Sequence, residues 1–171
     1  KAATTGQITA AISGTANALT SLNTAATDAI TMTIDAGTAA AADLTTLDGK
    51  TSVAVAANAV TKITGSDTEV LAALTADTAT TLVIDTDFDT DVSGDLSVAN
   101  ANTIVAATTG QVDFTGTITD SMANMLNVGE NAISTAFAAV TNGTSSSDGD
   151  GGVAVTVNAG TLTVTKLNLI K

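Results

Sequence analysis

The 171-residue sequence predicts a β-rich solenoid: repeating coils of about 21–30 residues, each a strand plus a short helix, with a C-terminal β-hairpin. Three observations predict it. The first strong strand residue of each unit, taken as Ile8, Ile30, Val53, Leu82, Val112 and Ile133, recurs at intervals of 22, 23, 29, 30 and 21 residues. The tetrapeptide Thr4-Thr5-Gly6-Gln7 returns as Thr108-Thr109-Gly110-Gln111, each copy followed by a β-type run. Finally, Ala and Thr dominate the composition, and the only aromatic residues are Phe88, Phe114 and Phe137. Aromatic side chains normally dominate core energetics, so thin, closely stacked layers are expected instead of one thick core.

The units follow in order. TANALTSLNTAAT (15–27) reads as a helical turn or two and leads to the strand AITMTIDAG (29–37). AADLTTLDGKT (41–51) leads to SVAVAANAVTKITG (52–65), and SDTEVLAALTADT (66–78) to TTLVIDTDFDTDVSG (80–94). VANANTIVAATTG (98–110) leads to QVDFTGTITD (111–120), and SMANMLNVGENA (121–132) to ISTAFAAVTNG (133–143). Leu19/Leu22, Leu44/Leu47 and Leu71/Leu74 place paired leucines on one helical face. Ser66-Asp67-Thr68-Glu69 has the spacing of a capping box. Ile30/Met32/Ile34, Val53/Val55 and Leu82/Ile84 alternate with the period of a strand. A helical bundle is the competing fold, but Thr, Val, Ile and Gly crowd every second half-unit.

The composition shifts after Asn142. Residues 1–142 form the repeat region, GTSSSDGDGG (143–152) a Gly/Ser/Asp linker, and 153–171 the hairpin, with Val153-Ala154-Val155-Thr156-Val157 as its first strand. The hairpin either caps the last coil or pairs with an open edge of a neighbouring subunit.

Several function classes are excluded by what is missing. There is no His, Cys, Arg, Pro, Trp or Tyr, and the five basic residues are Lys1, Lys50, Lys62, Lys166 and Lys171. Without His or Cys there is no imidazole base, no Ser-His or Cys-His pair and no soft-ligand metal site. The formal net charge of -12 leaves no basic face for nucleic acid. No run has the roughly 20 apolar residues of a membrane span. Paired carboxylates could serve a glycosidase, but no Trp or Tyr is present to stack a sugar and no candidate cleft is evident. Thr-x-Thr triplets (Thr31/Thr33, Thr115/Thr117/Thr119, Thr161/Thr163/Thr165) suggest a flat Thr face, though the unit starting at Ser52 lacks one. No enzymatic activity is expected.

The segment AADLTTLDGKTSVAVAANAVTKITGSDTEVLAALTAD (41–77) carries Leu44, Leu47, Asp48, Gly49 and Thr51, then Thr64, Gly65, Ser66, Glu69 and Val70. It resembles the repeats of very large, secreted cell-surface proteins of cyanobacteria, including those linked with non-flagellar swimming. SVANANTIVAATTGQVDFTGTITD (97–120) is similar to a second repeat type of such proteins. The resemblance implies an extracellular surface or filament role without catalysis, and it carries no site residues across.

One segment is chemically pointed. Asp85, Asp87, Asp89 and Asp91 alternate, so on a strand they face one side with about 6.5–7 Å between neighbours. Their repulsion calls for water, salt or a hard cation, and Ca²⁺ with its oxygen ligands is the natural one. The spacing is not an EF-hand, since Thr90 stands where Gly is needed and Leu96 where Glu is needed. Asp148 and Asp150 in the Gly-rich linker form a second candidate metal pair. Both sets also read as solvated acidic edges that discourage wrong strand pairing.

Together these readings give an extracellular structural protein forming a cell-surface fibre or layer from identical subunits. The rival is an adhesin segment of a larger calcium-dependent surface protein, binding a glycan or another cell.

Overall fold

Four of the β-type runs carry an interruption near the middle, and at each one the chain bends from one sheet into another. The computed structural model describes residues 6–129, 132–138, 154–160, 163 and 165–166. The elements run β1 (Thr9–Gly14), α1 (Ala16–Thr20), β2 (Ala29–Ile34), β3 (Gly37–Ala40), α2 (Ala41–Asp48), β4 (Val55–Ala57) and β5 (Val60–Ser66). They continue with α3 (Asp67–Thr78), β6 (Leu82–Ile84), β7 (Asp89–Ser93), α4 (Val98–Ala107), β8 (Val112–Phe114), β9 (Thr117–Ser121), α5 (Met122–Met125) and β10 (Ala154–Ala159). Residues 135–138 are also helical.

The strands form three sheets, ordered β1-β2-β4-β6, β3-β5-β7-β8 and β10-β9, and every named pair is parallel. The expectation of a β-rich solenoid with one strand and one short helix per coil is therefore corrected: the chain is a small α/β domain with parallel sheets. The physical reason is that each long β-type run holds two strands. Asp35-Ala36 separates β2 from β3, Asn58-Ala59 separates β4 from β5, residues 85–88 separate β6 from β7, and Thr115-Gly116 separates β8 from β9. Gly37 enters β3 at φ +123°, a conformation that glycine adopts without steric cost. The assumed strand starts also fail in part. Val53 lies outside any strand and is exposed, while Ile133 makes only an isolated antiparallel bridge to Leu126. Of the predicted C-terminal hairpin, residues 154–159 form β10, which lies parallel to β9, and Thr165-Lys166 are helical; most of the return strand expected at 161–170 lies outside the described residues. The linker 143–152 lies outside the described residues.

Three helices, α1, α3 and α4, start where the sequence supplies hydroxyl caps, whereas α2 follows Ala40 without one. The Thr15 side chain accepts from Ala18 N–H, and that of Ser97 from Asn100 N–H. Ser66 and Glu69 complete the capping box: Ser66 N–H donates to Glu69 Oε2 at 2.8 Å, and Glu69 N–H to Ser66 Oγ at 3.4 Å. Inside the helices, Thr hydroxyls donate back to carbonyls four residues earlier, Thr75 to Leu71 and Thr103 to Ala99 among them.

The core is laid down in rungs. In the first sheet Ile12 sits beside Met32 and Val55 beside Leu82. In the second, Ala39, Ile63, Thr90 and Val112 stand side by side across four strands, all buried. Leu44 and Leu47 of α2 and Val70 and Ala73 of α3 close over them. All three phenylalanines are buried, so the few aromatics that the chain has lie where burial stabilises most.

Candidate functional site

The acidic run is divided by the bend between β6 and β7. Phe88 is 1% exposed, and its burial turns the chain inward at this point. Asp85 and Asp87 consequently lie in the turn, and only Asp89 and Asp91 share the outer face of β7. The expected single-faced row of four carboxylates is thus corrected to two pairs in different surroundings. Asp85 Oδ1 accepts from Thr86 N–H at 2.8 Å, and Asp89 Oδ1 from Gln111 N–H at 2.8 Å. Asp91 Oδ2 is 2.7 Å from Lys62 Nζ on β5. Among the described residues no group of three or more acidic side chains is placed to hold a metal ion. Asp148 and Asp150 lie outside the described residues.

Register explains the Lys62 contact. Lys62 stands opposite Asp89, and Asp91 opposite Asp113 on β8, so one ammonium faces three carboxylates on the open side of the second sheet. The hydrogen bond to Asp91 is the main cause of the raised Lys62 pKa, with Asp91, Asp89 and Asp113 adding electrostatic support. Lys62 and Asp91 are 38% and 36% exposed, so water screens the pair. Its chemical effect is to offset cross-strand repulsion and hold the register of β5, β7 and β8.

Elsewhere the acids act as internal acceptors for the backbone, a use that the sequence reading missed. Asp28 is 6% exposed, and its carboxylate accepts from Ile8 N–H at 3.0 Å and Ala25 N–H at 2.9 Å. These bonds, Ala25 first, hold its carboxyl below the usual range. The Thr51 hydroxyl completes this clamp, accepting from Ile30 N–H and donating to the Ile30 carbonyl. For Asp120, burial pushes the pKa up, but bonds from Ser121 N–H, the Asn124 amide and Val98 N–H outweigh it, and the net shift is downward. Asp77 and Asp95 accept from Ile84 N–H and Thr117 N–H. The available sequence signal was position: Asp28 and Asp95 sit just outside a strand, Asp77 in the last turn of α3, and Asp120 at the end of β9 shortly before α5.

The second candidate site is an edge. Among the described residues β1 pairs with β2 alone. The Ile8 carbonyl accepts from Ala29 N–H at 2.8 Å and the Gly14 carbonyl from Asp35 N–H at 3.0 Å, so the even residues of β1 turn their backbone toward β2. By alternation, Thr9, Ala11 and Ser13 turn theirs away. Their side chains are exposed, while Ala10 and Ile12 on the inner side are only half-buried against the core. β1 contains no charge, no proline and no bulge, the usual devices that protect an edge. No helix among the described residues is long and apolar enough to cross a membrane. Compared with protein-family models, curated proteins and solved structures, the chain matches none.

Proposed function

We propose that the chain is an extracellular structural protein that builds a cell-surface fibre or layer by self-association at its sheet edges. The single observation that carries this reading is the open, uncharged edge of β1 beside a half-buried apolar row. Each backbone hydrogen bond gained there contributes about 0.5–1.5 kcal/mol net, and covering Ala10 and Ile12 adds roughly 25 cal/mol per Å² removed from water. One contact is modest, so assembly is concentration-dependent and extends by repetition of a single weak step. The extracellular setting is supported by the resemblance of residues 41–77 and 97–120 to repeats of secreted cyanobacterial surface proteins.

Electron microscopy of the purified chain in millimolar Ca²⁺, and again after chelation, tests the reading. Regular filaments or sheets are expected in both conditions. Filaments that dissolve on chelation assign a cation to the subunit contact. Isolated particles in both conditions refute self-assembly and move the assignment to an adhesin segment that needs a target.

A further inference from the structure

We infer that the occupant of the β1 edge is the β10 strand of a second copy of this chain, added in parallel and head to tail; this rests on the self-assembly reading above. The argument is one of matching hydrogen-bond parity. Near the other end of the molecule, Leu96 N–H donates to the Thr117 carbonyl at 2.9 Å and the Leu96 carbonyl accepts from Thr119 N–H at 2.7 Å. Thr117 and Thr119 thus face back toward Leu96, which leaves Ile118 facing β10. Ile118 stands opposite Val155 and Thr119 opposite Thr156. In a parallel pair that register turns the backbones of Ala154 and Thr156 toward β9 and those of Val155 and Val157 toward the side that is unpaired among the described residues.

The two edges, each unpaired among the described residues, therefore complement each other. On β1 the outward backbone belongs to residues with exposed side chains, Thr9, Ala11 and Ser13; on β10 it belongs to the inward-facing Val155 and Val157. Parallel pairing requires this opposition, and it keeps inward side chains inward on both strands. Val155 comes opposite Ala10 and Val157 opposite Ile12, and all four are half-buried apolar residues packed at the margin of the core. Both strands have six residues and neither carries a charge. Because the contact joins two different surfaces, each addition leaves a β1 and a β10 for the next, and growth continues wherever the rotation between copies does not close a ring.

The chain has no cysteine, which makes disulfide mapping unambiguous. In the inferred register Ala11 and Thr156 face each other on the exposed side. The double variant Ala11→Cys/Thr156→Cys, oxidised at assembling concentration, is expected to give a covalent ladder of dimers, trimers and longer species. Each single variant alone is expected to stay uncoupled, and a mixture of the two singles to stop at dimers. Filaments without a ladder, or efficient dimers from Ala11→Cys alone, overturn the β10 assignment while leaving self-assembly standing. An unmodified chain that never assembles overturns both. As a second check, Ala11→Pro removes an N–H that faces the open side and leaves the β1–β2 bonds in place. The expected result is a native circular dichroism spectrum with the critical concentration raised on the order of ten-fold. Undiminished assembly of that folded variant overturns the inference.

Discussion

Replacing Thr90 with Val should stabilise the protein. Thr90 is 1% exposed in the interior rung between Ile63 and Val112, and its Oγ1 is buried without a hydrogen-bond partner among the described residues. A buried hydroxyl left unsatisfied costs about 1–3 kcal/mol. Thr90→Val removes that cost and adds one buried methyl group, worth roughly 0.8 kcal/mol, with almost no change in shape. The combined gain is about 2 kcal/mol at the low end of the hydroxyl cost. For a domain of this size that raises the thermal midpoint by roughly 4–8 °C. Thermal unfolding followed by circular dichroism reads this directly, with Thr90→Ser as the control. Serine keeps the hydroxyl and loses the methyl, so its midpoint should fall. A Val variant that melts at or below the parent temperature would refute the reasoning, because the hydroxyl must then be satisfied in the folded state.

Two further outcomes follow from the polar contacts. Ser66→Ala removes the cap of α3, the longest helix among the described residues, and should cost about 1 kcal/mol in denaturant unfolding, with Ser66→Asn close to neutral; an unchanged midpoint in the Ala variant would discard the capping box as a stabilising feature. The pH profile should fall off at both ends. Asp28, Glu69 and Asp120 have pKa values lowered from 3.8, 4.5 and 3.8, so their stabilisation is present above those values and is lost as pH falls through the lower folded ones. Lys62 is raised from 10.5, so its contribution is present below that value and is lost as pH rises through the folded one. A thermal midpoint measured across the pH range should be flat between these limits, and Asp28→Asn should make the acid limb shallower. A profile that keeps declining through neutrality would contradict the assignment.

The helices were legible in the sequence and the sheets were not. Leu44 and Leu47 announce α2, and Ser66 with Glu69 announces the start of α3, because both signals act within a single turn of backbone. Period-two alternation carries no such local marker of its end. Residues 52–65 alternate smoothly enough to pass for one strand, yet the chain turns at Asn58-Ala59 and sends β4 and β5 to different sheets. Val53 looks like the first residue of that run. Its place at the sheet margin is instead taken by Thr51, whose side chain reaches Ile30 and caps the ladder. The acidic run misleads for the same reason. Its alternation suggests one carboxylate face, but Phe88 in its midst is buried in the core, and the chain bends between β6 and β7 where Asp85 and Asp87 lie. In β10 the alternation of Val155 and Val157 is legible and the pairing with β9 is not, since parity alone does not say whether a strand pairs with its neighbour in sequence or with one far away.

The placement of charge reconciles a net charge of -12 with the proposed self-association. Repulsion between copies would normally oppose any repeated contact. Here, however, β1, β2, β4 and β6 contain no charged residue, whereas the second sheet carries Lys62, Asp89 and Asp91 on its outer face, with Asp113 opposite Asp91. Several remaining acids are engaged as backbone acceptors at strand ends and bends. Surface charges repel weakly beyond about 8 Å at physiological salt, so an uncharged strand added to β1 meets little opposition there. Approach through the second sheet brings acidic faces together. The same charge distribution thus favours one direction of approach, along the β1 edge that is unpaired among the described residues.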